Sequence, residues 1–189
     1  GSTDNSSQVL PALANIIYIQ NQSNLGFSKA CNIGFHRSKG EYLLFLNSDM
    51  VLIDNSMSKM IKYIKSNPQV GAIGPLFLNP DLSPQPSVFP DQSLLNAFKH
   101  FWLGRDTYQK YLPPTDKPTP VKNISGGAIL ISRENFLKVG CWDEGYPFYF
   151  EDLELCRQLQ KNGLLIYFFP DSRVVHYHGL SGRTLSDQS

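Results

Sequence analysis

The sequence has no block of lysine and arginine, no long apolar run and no cysteines at metal-site spacing, and each absence removes a class of function. Seventeen basic and 16 acidic side chains leave a formal net charge of +1. Binding along a phosphate backbone needs a concentrated basic face, so nucleic acid is not the expected partner. No apolar stretch approaches the roughly 20 residues with which a helix spans a bilayer. The three cysteines, Cys31, Cys141 and Cys156, are an odd number and read as buried free thiols of a reducing compartment. What is present is a core. Hydrophobic residues make up 41% of the 189 positions and aromatics 12%, which suits one soluble globular domain rather than two.

The apolar pattern predicts alternating strands and helices. Ile16-Ile17-Tyr18-Ile19 reads as a buried strand, and the stretch from about Phe27 to Ser38 as a helix closed by Gly40. Tyr42-Leu43-Leu44-Phe45-Leu46 is apolar without alternation, as expected of a parallel strand covered on both faces. A helix follows in which Met57, Met60, Ile61 and Ile64 recur at helical spacing, with Asp54 as its candidate cap and Pro68 beyond its end. Val70 to Ile73, Gly127 to Ile131, Leu164 to Phe169 and Arg173 to Val175 read as further strands. Helices are expected from Arg133 to Val139 and from Glu151 to a stop at Gly163, the latter burying Leu153, Cys156 and Leu159. This order predicts an α/β fold with a mostly parallel sheet flanked by helices. Residues 79–120 break the pattern with two proline clusters around an aromatic stretch, Leu94 to Leu112. They read as an excursion from the core, either surface packing or a wall of the binding site.

Polar residues gather where strands end. Asn47-Ser48-Asp49 follows the Tyr42–Leu46 strand, and ligands of open α/β sheets bind beyond the carboxyl ends of strands. Asp49 suits a divalent cation bridging diphosphate oxygens, which needs only one or two protein carboxylates, or it caps a turn. Glu151-Asp152 follows Tyr146-Pro147-Phe148-Tyr149-Phe150. Acidic residues at a helix start answer the macrodipole, but aromatic neighbours also raise a carboxylate pKa toward that of a general base. His176 and His178 flank Tyr177 after the last strand and fit metal or phosphate contact as well as packing. Asn24, Gly26, Asn32 and Gly34 punctuate one further stretch, where Gly26 permits a tight turn or close approach to a ligand and Asn32 could reach a base or ribose.

Taken in order, these phrases resemble the family 2 glycosyltransferases of GT-A fold, especially their rhamnosyltransferase-like branch. The matching pieces are Asn24-Leu25-Gly26-Phe27 to Asn32-Ile33-Gly34, Gly40-Glu41-Tyr42 to Asn47-Ser48-Asp49, Gly126-Gly127-Ala128 and Val139 to Glu144. Phe148-Tyr149-Phe150-Glu151-Asp152-Leu153-Glu154-Leu155-Cys156 and His176-Tyr177-His178-Gly179-Leu180-Ser181 complete the series. The resemblance implies an inverting transfer from a nucleotide-sugar donor to a saccharide or lipid-linked acceptor, with Mn2+ or Mg2+ as cofactor. It implies Asp152 as the base and Glu151 as a residue orienting it or touching the acceptor. Asp49, His176 and His178 would hold the metal, with Asn47 standing where the family's metal motif has its first aspartate. Asn24, Gly26, Asn32, Asn47, Ser48, Gly126 and Gly127 would line the donor. The implied setting is bacterial surface-polysaccharide synthesis in the cytoplasm, with peripheral association at the inner face of the membrane left open. Gly1-Ser2-Thr3-Asp4 resembles the turn after the family's second strand, so the fold is expected to be N-terminally truncated by roughly 30 to 50 residues, about one strand–helix–strand unit. Two competing readings are a degenerate nucleotide-sugar-binding module of a larger protein and a metallohydrolase built on Asp49, Asp152, His176 and His178.

Overall fold

The apolar runs form one mixed sheet with helices on both faces. The computed structural model describes residues 4–146 and 149–177. Its strands are β1 (Tyr42–Leu46), β2 (Met50–Ile53), β3 (Val70–Leu78), β4 (Pro84–Gln85), β5 (Val88–Phe89), β6 (Thr119–Val121), β7 (Asn123–Ile124), β8 (Ala128–Ser132) and β9 (Leu165–His176). The helices are α1 (Ser6–Val9), α2 (Phe27–Arg37), α3 (Ser56–Ser66), α4 (Leu94–Leu103), α5 (Arg133–Lys138) and α6 (Glu151–Lys161). The main sheet runs β1-β8-β3-β9-β2, with β4 added to β3 and β6 to β9. The pair β5–β7 stands apart.

The expected mostly parallel sheet is mixed instead. Among the described residues only β3 and β9 pair in parallel; β1–β8, β3–β8, β2–β9, β3–β4 and β6–β9 are antiparallel. The unbroken apolar run of β1 has another cause, cover on both faces. Leu43 and Phe45 enter a cluster with Phe35 of α2, Phe136 of α5, and Leu155, Cys156 and Leu159 of α6. Tyr42 and Leu44 face the opposite side, against Met60 and Ile64 of α3. Successive side chains of a strand alternate between faces, so a strand between two helical layers is apolar whatever its pairing.

Other expectations shift by small, explicable amounts. Ile16 to Ile19 forms no strand: among the described residues nothing pairs with it, and Ile16, Ile17 and Ile19 are exposed. Asp54 does not cap α3; it adopts a left-handed backbone (φ 54°) and pairs with Arg173. Ser56 fastens the start of α3 instead, its hydroxyl accepting from the Arg173 N–H at 2.8 Å. The two last predicted strands are one, β9, whose register against β3 shifts between Pro75 and Leu76. A proline inside a sheet sits where a ladder hydrogen bond is already missing. Of the cysteines only Cys156 is fully buried, and Cys31 and Cys141 are half-buried. Desolvation pushes the Cys31 and Cys156 thiols up to about 12.

Helix α6 matters most for function. Its buried stripe is Asp152, Leu155, Cys156 and Leu159, a spacing of three and four, and Leu153 is not part of it. A carboxylate thus occupies a position that the helix turns toward the protein.

Candidate active site

Three strand ends converge on the first acidic segment. The Asn47 N–H donates to the Gly127 carbonyl at 2.9 Å, and the Met50 N–H closes a tight turn on the Asn47 carbonyl at 3.1 Å. That turn buries Asp49, whose carbonyl accepts from the Tyr177 N–H at 2.8 Å. Because Met50 pairs with His176 in the β2–β9 ladder, Asp49 and His176 become neighbours. Asp49 Oδ2 lies 3.6 Å from His176 Nε2, and Asp49 Oδ1 is buried without a hydrogen-bond partner.

A relay of side chains orients the imidazole. The Ser83 hydroxyl donates to Asp81 Oδ1 at 2.6 Å and accepts from Asn79 Nδ2 at 2.9 Å. Asn79 Oδ1 accepts from Gln85 Nε2 at 3.0 Å, which turns Gln85 Oε1 toward His176 Nδ1, 2.8 Å away. Asp81 can only accept when ionised, and the bonds from Ser83 hold its pKa below the usual range. Along this relay Gln85 Oε1 is left to accept from His176 Nδ1, which turns Nε2 toward Asp49, the orientation of a metal ligand fixed by its outer partners.

The second acidic segment approaches from α6. The Gly126 N–H donates to Asp152 Oδ2 at 2.8 Å, and the Leu153 N–H to Oδ1 at 2.9 Å. Burial raises the Asp152 pKa, against the lowering effect of those two N–H groups and of Lys110 nearby. Burial also raises the Glu151 pKa, and Glu151 Oε2 is buried without a partner. Tyr149 and Phe150, just before the helix, both have left-handed backbones (φ 63° and 67°), costly for bulky residues. Close approach explains the glycine pair. A Cβ on Gly126 would stand 3.2 Å from Asp152 Cβ, and one on Gly127 would overlap Met50 Cε.

Both segments border one cavity of about 750 Å³. Of the residues expected from sequence, Asn47, Gly126, Gly127, Glu151, Asp152 and His176 line it. Asp49 sits behind His176, and Ser48 is exposed outside the lining. His178 lies outside the described residues. Asn24 and Gly26 form the turn into α2, the Gly26 N–H donating to Asn24 Oδ1 at 3.0 Å, and their neighbour Phe27 reaches the cavity. Asn32 is a correction. Its amide donates to the Trp142 carbonyl at 2.9 Å and Glu144 Oε1 at 3.0 Å and accepts from the Trp142 N–H at 3.2 Å, so it braces a loop away from the cavity.

The excursion takes the second of its two expected roles, a wall of the binding site. Phe89, Phe101, Tyr108 and Lys110 all come from the 79–120 excursion, which supplies one wall. Lys110 Nζ donates to Ser125 Oγ at 3.1 Å and stands 4.8 Å over the Phe89 ring. Its stem keeps solvent contact, yet crowding around the ammonium lowers its pKa, with Asp152 opposing the shift. Among the described residues no three of His, Cys, Asp and Glu gather as a metal cluster. Asp152 is hydrogen-bonded to the Gly126 N–H rather than to Asp49 or His176.

Comparison with known proteins agrees with this geometry. The family model described as glycosyl transferase family 2 matches residues 1–138, ending before α6. The N-acetylglucosaminyl-diphospho-decaprenol L-rhamnosyltransferase of Mycobacterium tuberculosis (strain CDC 1551 / Oshkosh) is 30% identical over 198 residues, covering 94% of this chain and 64% of that protein. The dTDP-rhamnosyl transferase RfbF of Shigella flexneri is 29% identical over 162 residues, covering 82% of this chain and 50% of that protein. The chain thus spans half to 64% of the length of these relatives. The crystal structure of GalNAc-T7 with UDP, GalNAc and Mn2+ superposes with a TM-score of 0.62 at 20% identity, over 87% of this chain and 32% of that one, a likeness of fold. The sheet is of GT-A type, and the chain belongs to glycosyl transferase family 2.

Proposed function

We propose that this chain is the catalytic part of an inverting glycosyltransferase that moves a rhamnosyl or related hexosyl group from a nucleoside-diphosphate sugar to an acceptor hydroxyl. The acceptor is a saccharide or lipid-linked saccharide of surface-polysaccharide synthesis, and the reaction runs in the cytoplasm. One observation carries the reading: a desolvated carboxylate, Asp152, and the edge of the Asp49–His176 pair border the same cavity. The names of the two relatives support a rhamnosyl donor.

In the reaction Asp152 takes the proton of the acceptor hydroxyl as its oxygen bonds to the anomeric carbon. The bond from that carbon to the diphosphate breaks on the opposite face, and the electron pair leaves with the nucleoside diphosphate. Each Asp152 oxygen holds one backbone N–H, which fixes the carboxylate while leaving lone pairs for the hydroxyl. Glu151, which lines the cavity and buries an unpartnered Oε2 behind it, orients the acceptor. Gly126 and Gly127 let the donor sugar approach the backbone.

The residues present fit a divalent cation. Asp49 Oδ1 lacks a partner, and Asp49 Oδ2 lies 3.6 Å from His176 Nε2, close enough for both side chains to hold one cation. Asn47 adds a neutral amide, and diphosphate oxygens and water complete such a set. Mn2+ or Mg2+ held there would offset charge on the departing diphosphate.

The test is transfer by the complete gene product from dTDP-, UDP- and GDP-sugars to saccharide acceptors, with the product anomer read by NMR. A product anomer opposite to the donor's is expected; retention, or no transfer from any donor, contradicts the proposal. The second reading, a non-catalytic donor-binding module, is favoured by Asn47 at the first position of the metal motif. It predicts calorimetric binding of a nucleotide sugar without turnover.

A further inference from the structure

Helix α4 is built inside out. Leu94, Leu95, Phe98, Phe101 and Trp102 recur at the spacing of one helical face, and all are exposed, from Leu94 at 91% to Phe98 at 52%. The polar side faces the flanking segments of the same excursion. The Asn96 amide donates to the Asp91 carbonyl at 2.8 Å, Thr107 Oγ1 donates to the Asn96 carbonyl at 2.8 Å, and the His100 ring packs edge-on to Tyr108 at 4.8 Å. A surface helix of a water-soluble fold normally turns the other way, since each large apolar side chain left in water forgoes the gain of burial. Ser93 caps the helix through its hydroxyl and Gly104 ends it in a left-handed turn, so both ends are defined.

Two features say what covers this face. Lys99 lies on the helix and Arg105 just past it, and the carboxylate among them, Asp106, is turned onto the Tyr108 and Gln109 N–H groups. Aromatic and leucine side chains flanked by cations match the boundary between headgroups and acyl chains of an anionic bilayer. Phe101, 75% exposed on this face, also belongs to the cavity wall with Tyr108 and Lys110. The face is therefore continuous with the rim of the candidate active site. Among the described residues no helix is long and apolar enough to cross a membrane, so contact would be in the plane of the surface.

We propose that α4 docks the protein onto an anionic phospholipid surface, inserting Phe98, Phe101 and Trp102 and bringing the cavity rim to the headgroup layer. This stands apart from the transfer chemistry and can hold or fail without it. The two tryptophans provide the probe, because Trp142 is buried at 2% exposure and Trp102 stands at 78%. Vesicles of phosphatidylcholine and phosphatidylglycerol in equal parts should shift Trp102 emission to the blue, and brominated acyl chains should quench it. Phosphatidylcholine alone should bind at least about tenfold more weakly, and added salt should weaken the mixed-vesicle binding. Leu95→Glu with Phe98→Glu should reduce partitioning by about tenfold or more, and Trp142 emission reports that the fold is kept. Unshifted Trp102 emission with mixed vesicles overturns the proposal. So does concentration-dependent dimerisation that buries Trp102 and is abolished by the same double variant, because a second copy would then be the occupant.

Discussion

The Gly126 N–H holds Asp152 Oδ2 at 2.8 Å, and a methyl group in place of the glycine hydrogen would stand 3.2 Å from Asp152 Cβ. The loop thus fixes the carboxylate and leaves no room beside it. Gly126→Ala keeps the N–H but pushes the carboxylate aside. The carboxylate must give by a few tenths of an ångström. Since a displacement of about 1 Å costs roughly 100-fold in rate, kcat should fall about three- to tenfold with the thermal midpoint little changed. Unaltered kcat would show that the contact does not position a reacting group.

Glu151 should trade stability for function. Its pKa is raised by burial, so the folded state binds its proton more tightly than the unfolded chain does. The favourable contribution is complete below the unfolded pKa and is lost as pH rises through the folded one. Glu151→Gln removes that loss. Its thermal midpoint should exceed the wild type at neutral pH, with the gap closing as pH falls below the ordinary glutamate range, while acceptor KM rises. A midpoint difference independent of pH would mean the carboxylate is not desolvated.

Asn32 should behave as a brace. Asn32→Ala removes three hydrogen bonds to the Trp142–Glu144 loop, for a loss of about 2–3 kcal/mol by chemical denaturation. Donor KM should stay within about twofold, because a loop support does not enter uniform substrate binding. A large rise in donor KM with unchanged stability would restore the donor-contact role.

The relay to His176 predicts a graded loss of metal binding. Asp49→Ala removes a ligand and should weaken Mn2+ binding, followed by EPR in the presence of nucleoside diphosphate, by more than Gln85→Leu does. Gln85→Leu only frees the imidazole from its orientation and should cost about 10–100-fold in affinity. Equal Mn2+ affinity in the wild type and both variants would remove the pair as a metal site.

How much of this was legible in the sequence follows from which interactions are local. Helices α2, α3, α5 and α6 were readable because apolar residues at spacings of three and four leave a pattern within one segment. Asp49, Glu151, Asp152 and His176 were readable because they stand as polar interruptions beside apolar runs. Pairing direction was not, since cover on both faces produces the same β1 run in parallel and antiparallel ladders. The Asp152 stripe on α6 was missed because Leu153 is the more apolar residue, yet Gly126, 26 positions earlier, receives the carboxylate. The excursion was legible only as packing or a wall, and Lys110 not at all, because the long-range path of the chain decides which of its residues reach the cavity. Asn32 lay in the right motif, but its partners at Trp142 and Glu144 decide its role, and they are distant in sequence.

The central claim is that Asp152 removes the acceptor proton. It is tested most directly by Asp152→Asn in the complete gene product, with donor binding measured by calorimetry and single-turnover transfer by quenched flow. Removing the general base should lower the transfer rate by about 10²–10⁴-fold, with donor affinity preserved. In the wild type, the acid limb of the rate should lie above the ordinary aspartate range, as the buried carboxylate requires. Transfer by Asp152→Asn at the wild-type rate, with the same pH profile, would contradict the account.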